Sequence, residues 1–330
     1  MIMARKDLSG LSADDIEQIM CFLDDNCGTV FHEPHFNRVV ENIFHTAFFY
    51  DLAYNRERKL MALCPLHFIK KGLLSHIFSN PAIHGVPYGG WVYNKDETSV
   101  QELMEQIKLS HNEALTYWSI PQINNDGYVD IKNKREFKTG IIDLTLSLDD
   151  ILHQQISKKR RQAINRSIRR GVVIERLDPD KLHIFIEQCN VLRDSVGLEA
   201  QSSDYFTQLF ECYYTTKKIA AFAARFDNAY IASGVIIGNK NMMHLWVAGR
   251  PKHVPQHVRR TELLLWETIK YAKEYGSRYF DLCVIEPERL STIAHFKLEF
   301  SKHIVPFYYI TRRNMSYRII SKAQNILRMR

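Results

Sequence analysis

The sequence predicts an α+β (mixed α/β) chain of two tandem domains, each a mixed, mostly antiparallel sheet flanked by helices. Three observations carry this. A chain of 330 residues is long enough for two cores of ordinary size. From Gly171 onward the apolar pattern switches between strand and helix periods in the order β-α-α-β-β-β-α-β-α-β. Three strands in that series, Ile219–Phe226, Tyr230–Gly238 and Met242–Gly249, are joined only by Asp227-Asn228 and Asn239-Lys240-Asn241. Turns that short force an antiparallel meander. The expected division is 1–140, 141–314 and a basic C-terminal helix over 315–330.

Taken in order, residues 12–26 read as an amphipathic helix with Ser12 as N-cap and Ile16, Ile19, Met20 and Leu23 on one side. Residues 31–44 hold a second helix starting after Pro34. Phe48 to Ile69 alternates like strands around Asn55–Lys59, a hairpin signal. VPYGGWVY (86–93) is turn-rich, and its glycine pair permits a close backbone approach. A helix over 99–112 and strands at 115–120 and 138–145 complete the first half. In the second half, strand 171–177 is followed by helices Pro179–Ser195 and Ser203–Thr215, then the meander. Helix Thr261–Tyr275 is closed by Gly276 and followed by strand Arg278–Val284, helix Ile293–Phe300 and strand Val305–Thr311.

Charge is concentrated. Residues 158–170 carry seven Lys or Arg and no acid, and residues 312–330 carry six and no acid. The rest of the chain, with 31 of the 44 basic residues against 37 acidic ones, is net negative. Two local anion sites fit this better than a chain that coats nucleic acid. The first basic stretch, SKKRRQAINRSIRRG, continues a helix expected from Ser147, with Ser147 and Asp150 as a capping box and Gly171 at the C-cap. Leu152, Ile156, Ala163, Ile164 and Ile168 share its apolar face. Lys158, Lys159, Arg166 and Arg169 lie outside that face. Arg160 points into it, so an acidic partner is expected, with Asp281 the first candidate and Glu286 the second.

Several chemistries are set aside. GxSxG, P-loop and GxGxxG patterns are absent from the sequence. Proline interrupts both His32-x-x-His35 and His253-x-x-x-His257, so no metal is expected. Six cysteines without a CxxC pair fit a reduced cytoplasm. No signal peptide and no apolar run of membrane-spanning length is seen.

Residues 31–66 (FHEPHF…ALCPL), PYGG at 87–90, SKKRRQAINRSIRRGV, LLLWETIKYAKEYGSRYFDL at 263–282 and HFKLEF at 295–300 resemble the Fem-type branch of the GNAT superfamily. That branch includes the peptidoglycan-bridge aminoacyltransferases and the BioF-like or CelD-type acetyltransferases. The resemblance implies two GNAT-like domains, the second more complete. It also implies transfer of an acyl group to an amine, with acyl-CoA or aminoacyl-tRNA as the donor substrate and no permanently bound cofactor. It carries Arg161, Asp281, Phe296 and Lys297 over as family positions. Lys297 is then the residue to neutralise a phosphate or a developing oxyanion, and Asp281 the one to orient an amine or to hold Arg160 or Arg161. Asp281 as a salt-bridge partner alone and Phe296 as core are the plainer alternatives. Lys158 on the basic face and Tyr88 on the glycine-rich turn are further substrate-binding candidates, Tyr88 otherwise being an ordinary turn residue.

One departure bears on the donor. A GNAT pyrophosphate cradle of the form Q/R-x-x-G-x-G/A is replaced here by Gln256-His-Val-Arg-Arg-Thr261. Side chains stand where bare amides would cradle phosphate, leaving Arg259 and Arg260 to reach it. The expectation is therefore an acyl-CoA-dependent N-acyltransferase. The alternatives are tRNA-dependent aminoacyl transfer to a peptidoglycan or other cell-envelope precursor, and a non-catalytic module that binds an anionic glycan or lipid precursor. The tail, MSYRIISKAQNILRMR, places Ile319, Ala323, Ile326 and Leu327 on one helical face and Arg318, Lys322 and Arg328 off it. It either docks on the protein or contacts the inner face of a membrane peripherally.

Overall fold

The computed structural model describes residues 1–79, 85–123, 127, 128, 131, 133–253, 261–285 and 291–328. Two compact units form, one from Met1–Phe137 with Pro306–Arg330, the other from Lys138–Val305.

The first unit opens with β1 (Ile2–Asp7), α1 (Ala13–Asp25) and α2 (Pro34–Phe44). Ser12 and Asp15 close a reciprocal capping box on α1, and Pro34 takes the first turn of α2, where a missing N–H costs nothing. Strands β2 (Ala47–Tyr54), β3 (Leu60–Lys71), β4 (Leu74–Ser79) and β5 (Val92–Tyr93) follow, then α3 (Val100–Gln106) and β6 (Glu113–Trp118). The sequence reading missed β1, which is charged and pairs only along one edge, and β4, which is short and half polar. Helix α3 ends six residues before the expected 112, because Ile107 turns extended and buries its side chain.

The second unit holds β7 (Lys134–Asp143), α4 (Leu148–Asp150), α5 (Lys158–Arg169), β8 (Val173–Leu177), α6 (Leu182–Asp194) and α7 (Ser203–Tyr213). The meander follows as β9 (Ile219–Phe226), β10 (Ala229–Gly238) and β11 (Met242–Gly249), then α8 (Thr261–Tyr275), β12 (Tyr279–Ile285) and α9 (Ser291–Leu298). The sheet order is β7-β12-β11-β10-β9-β8. Among the described residues of this sheet only β11 and β12 run parallel; the other pairs are antiparallel. Alternation along β9 sends Ala220, Phe222 and Ala224 into one core with α5 and α8. The opposite face carries α6 and α7, whose Tyr205 and Phe206 rings meet Trp246 of β11 at 5.7 and 5.8 Å.

The chain then returns to the first unit with β13 (His303–Arg313) and α10 (Met315–Arg328). β13 pairs antiparallel with β6, giving the order β1-β2-β3-β4-β6-β13 with β5 beside β3. The sequence reading places residues 306–314 with the second domain and sets 315–330 apart. By compactness all of them group with the first unit, a long-range pairing that local pattern does not announce.

The helix expected to run unbroken from Ser147 to Gly171 is instead in pieces. After α4 comes one π-helical turn, Ile151–Gln155, and Ile156 is extended. Ser157 then caps a fresh start, its hydroxyl accepting from the Arg160 amide at 3.3 Å. The break is held by side chains. Gln155 accepts from the Asp143 amide and donates to its carbonyl, tying the turn to β7. The change of phase also corrects the expected apolar face, since Ile168 is 55% exposed.

Candidate functional site

The two units share the sequence antiparallel hairpin, strand, helix, parallel strand, and they differ in one respect. In the first unit β4 stays paired with β6 from Ser75↔Glu113 to Ser79↔Tyr117, almost its whole length. In the second unit β11 pairs with β12 only through Met242↔Tyr279, Met243↔Phe280 and His244↔Asp281. Beyond that rung no ladder pair between them exists among the described residues, although β11 continues to Gly249 and β12 to Ile285.

Two bulges cause the parting, one on each strand just past the last rung. On β11, Val235↔Val247 is followed by Ile236↔Leu245, so Trp246 is the extra residue. On β12, Asp281↔Ile141 is followed by Val284↔Thr139, so Leu282 and Cys283 oppose Gly140. A bulge bends its strand and sharpens the twist, which turns the two strands out of register with each other. Cys283 takes φ +57°, a conformation that costs a non-glycine residue about 1 kcal/mol or more. Gly140 makes room, since a Cβ there would stand 3.1 Å from Leu282 Cδ1. The result is a strand edge from Leu245 onward that no longer gives its amides to β12.

Asp281 and His244 form the rung at which the strands separate, and both are fully buried. His244 Nδ1 donates to Asp281 Oδ2 at 2.8 Å. A carboxylate only accepts, so Nδ1 carries a proton. Oδ1 accepts from the Thr139 hydroxyl and from the Cys283 amide at 3.0 Å, and Oδ2 lies 3.5 Å from the Cys283 thiol. Ligand atoms of His244, Asp281 and Cys283 lie within 4.8 Å of one another. Both carboxylate oxygens, however, already accept from these donors. With the carboxylate so engaged, the group does not fit a metal centre.

Lys297 comes to the same place from α9. Its Nζ donates to the Val284 carbonyl at 2.8 Å, just past the β12 bulge, and its charge acts on the Cys283 thiol. Burial and then the Asp281 charge push that thiol well above its ordinary value, and Lys297 only partly opposes them. Cys283 is therefore a thiol at neutral pH and no nucleophile. Cys64 is pushed up by burial and Cys189 to about 11. Brief alkylation of the native protein at mildly alkaline pH is expected to label exposed Cys21, Cys27 and Cys212, and to leave Cys64, Cys189 and Cys283 unmodified by peptide mass mapping. Early labelling of Cys283 would overturn the thiol assignment.

The structure thus joins Asp281 and Lys297 around Cys283 and adds two residues the sequence reading missed, His244 and Thr139. The signal for His244 was a lone ionisable residue inside the apolar strand MMHLWVAG. The other candidates lie apart from this cluster. Arg161 donates to the carbonyls of Ile156 at 2.7 Å and His153 at 3.0 Å, closing the π-helical turn before it; its cation serves the chain's own backbone. Lys158 is exposed on the outer side of α5. Tyr88 is fully buried in the first unit, its ring packed on Phe307 at 5.2 Å and Phe31 at 6.4 Å. Phe296 packs on the core beside Phe300 at 4.9 Å. Arg259 and Arg260 lie outside the described residues, as does Glu286.

Arg160 is buried and paired, as its place on the helix predicts, but with other acids. Nη1 meets Glu262 at 2.7 Å in the first turn of α8, and Nη2 meets Glu299 at 2.6 Å just after α9. The guanidinium also lies over the Phe296 ring, 4.5 Å from its centroid. Asp281 is engaged with His244, which leaves Arg160 to tie α5 to the helices on either side of β12.

Comparison with known proteins bears on the fold. Residues 132–227 match the family model described as the FemAB family. The structure superposes on a crystal structure of FemX with a TM-score of 0.70 at 11% identity, covering 94% of this chain and 97% of that one. The fold is that of the Fem-type, GNAT-like branch. Other similar structures are the C-terminal domain assigned to a lysylphosphatidylglycerol synthetase from Agrobacterium fabrum and L-PGS from Bacillus licheniformis. The first has a TM-score of 0.53 and 13% identity, covering 96% of this chain and 97% of that one. The second has a TM-score of 0.50 and 15% identity, covering 92% and 94%. No curated protein matches the chain by sequence. Of the two units, the second is the one whose parallel pair parts. Among the described residues no helix is long and apolar enough to cross a membrane.

Proposed function

We propose that the second unit transfers an acyl or aminoacyl group to an acceptor nucleophile, with the reacting carbonyl placed along the open edge of β11. The observation that carries this is the parting of β11 and β12 immediately past the buried His244–Asp281 rung, beside Lys297. An unpaired strand edge offers amides to a carbonyl oxygen, and a nearby ammonium adds positive charge where the oxyanion develops. The acceptor amine attacks the carbonyl carbon. The bond to the donor's sulfur or ribose oxygen breaks with its electron pair, and the leaving atom takes up the proton that the amine loses. His244 and Asp281 fix the rung from which the open edge departs, and no covalent enzyme intermediate is formed.

Acyl-CoA with an amine acceptor is one donor assignment. Aminoacyl-tRNA with a cell-envelope acceptor is the other, and the likeness to FemX and to structures described as lysylphosphatidylglycerol synthetases favours it. The test incubates the protein with labelled acyl-CoAs or a charged tRNA pool, plus amine and lipid acceptors. Ribonuclease sensitivity of product formation separates the donors. Replacing Lys297 with methionine keeps the stem and removes the charge, and turnover is expected to fall more than tenfold with melting temperature nearly unchanged. An unchanged rate would remove Lys297 from the mechanism. Binding of a donor or acceptor with no product from any pair would favour the non-catalytic module instead.

A further inference from the structure

The C-terminal helix presents a second feature, separate from the transfer site. Helix α10 is held on the first unit by one face. Tyr317 is 4% exposed and packs with Leu74 and Ala114, Ile320 joins them, and the Tyr317 hydroxyl lies 3.0 Å from His76 Nε2. That contact fixes the rotation of the helix. The face turned away carries Met315, 72% exposed, and Ile319, 65% exposed, one turn apart. Arg318 and Lys322, also one turn apart and exposed, run alongside them, with exposed Arg313 at the end of β13. These five residues line a groove of ≈ 700 Å³ whose described walls hold no carboxylate. In its described part the helix docks on the first unit, and it docks with a different face from the Ile319 stripe. Side chains from residue 323 on lie outside the described residues.

Single exposed apolar side chains are ordinary on a soluble surface. Two on adjacent turns of an anchored helix, beside three cations and no acid, are the pattern of a helix that lies on an anionic interface. Residues 312–330 as a whole hold six Lys or Arg and no Asp or Glu. The charge selects a negative partner, and the Met315–Ile319 row selects one with an apolar layer within a few ångströms of its charged surface. A bilayer containing anionic phospholipid has both. A free phosphate lacks the second, and a nucleic-acid backbone would leave both apolar side chains in water.

We propose that the outward face of α10, centred on Arg318, Ile319 and Lys322, seats the protein on an anionic lipid bilayer. The proposal does not depend on the transfer reaction, and its test uses no substrate. The full chain is sedimented with vesicles of phosphatidylcholine alone or of phosphatidylcholine with phosphatidylglycerol, at low and high salt. Binding is expected only to the anionic vesicles, with release by salt. Each basic residue at such a surface contributes roughly fivefold to partitioning. The double variant Arg318→Gln/Lys322→Gln is therefore expected to lose about 25-fold, and Ile319→Asp at least tenfold. Met315→Asp repeats the apolar test one turn away from the docked face, and circular dichroism checks that each variant is folded. Equal sedimentation with neutral vesicles, no binding to anionic ones, or unchanged binding by the folded variants would overturn the proposal. So would release of the protein from anionic vesicles by millimolar inorganic phosphate at constant ionic strength, or loss of RNA binding but not vesicle binding in the double variant.

Discussion

Replacing Arg160 with alanine is expected to destabilise the second unit by about 3–5 kcal/mol. The guanidinium is 7% exposed and pairs with Glu262 at 2.7 Å and Glu299 at 2.6 Å. Removing it leaves two carboxylates facing each other with little water, which costs more than the pair itself contributed. A buried ion pair is weak evidence for stability in its own right, so the sharper expectation concerns coupling. The combined variant Arg160→Met/Glu262→Gln/Glu299→Gln leaves no buried charge and should lose less than Arg160→Met alone. Urea unfolding of the set measures this. A loss below about 1 kcal/mol for Arg160→Ala would mean that water reaches the site and the clamp is unimportant.

The same cluster sets an acid limit. Burial raises the Glu299 carboxyl, but the hydrogen bond from Lys159 and the charges of Arg160 and Lys159 outweigh it and hold the group below its ordinary 4.5. A folded-state value below the unfolded one means that the stabilisation is present above 4.5. It is lost as pH falls through the folded value. Glu299→Gln should accordingly flatten the acid limb of a stability–pH curve.

Replacing Asp281 with asparagine is expected to lower turnover by at least a hundredfold. The carboxylate accepts from His244, Thr139 and Cys283 at once, and an amide of the same shape must present a donor to one of them. If that donor faces His244, the bond that fixes the last rung between β11 and β12 is lost, and displacing the reacting groups by about 1 Å costs about 10²-fold in rate. Some stability is lost as well, so rate alone does not decide the matter. The discriminating readout is kcat against KM on protein shown by circular dichroism to be folded: a displaced oxyanion edge lowers kcat and kcat/KM together in His244→Gln and in Asp281→Asn, while a purely structural loss lowers only the folded fraction. Turnover of Asp281→Asn within threefold of the parent would remove the pair from the mechanism.

Much of the second unit was legible from sequence. Its meander is bounded by two- and three-residue turns, and Thr261–Tyr275 is closed by Gly276, so local chemistry marks the ends. Such signals reach only a few residues. They could not show that Ser157 restarts a helix, because the break is held by Gln155 bonding to β7 and by Arg161 closing the turn behind it. Nor could they show where β11 leaves β12, since a bulge is a mismatch between two strands and exists only when both are present.

The sequence by itself determined the fold class, the order of the second unit's elements and the burial of Arg160. Each follows from periodicity or from the cost of a charge on an apolar face. Only the tertiary structure decided that Glu262 and Glu299 pair with Arg160, that His244 joins Asp281 thirty-seven residues away, and that Arg161 is spent on its own backbone. It also decided which face of α10 docks, because Tyr317 and Ile320 meet Leu74 and Ala114 only after β4 and β6 have paired. The physical reason is shared. Hydrogen bonds, ion pairs and apolar contacts form only between groups that folding brings within a few ångströms, and local sequence pattern carries no information about that distance.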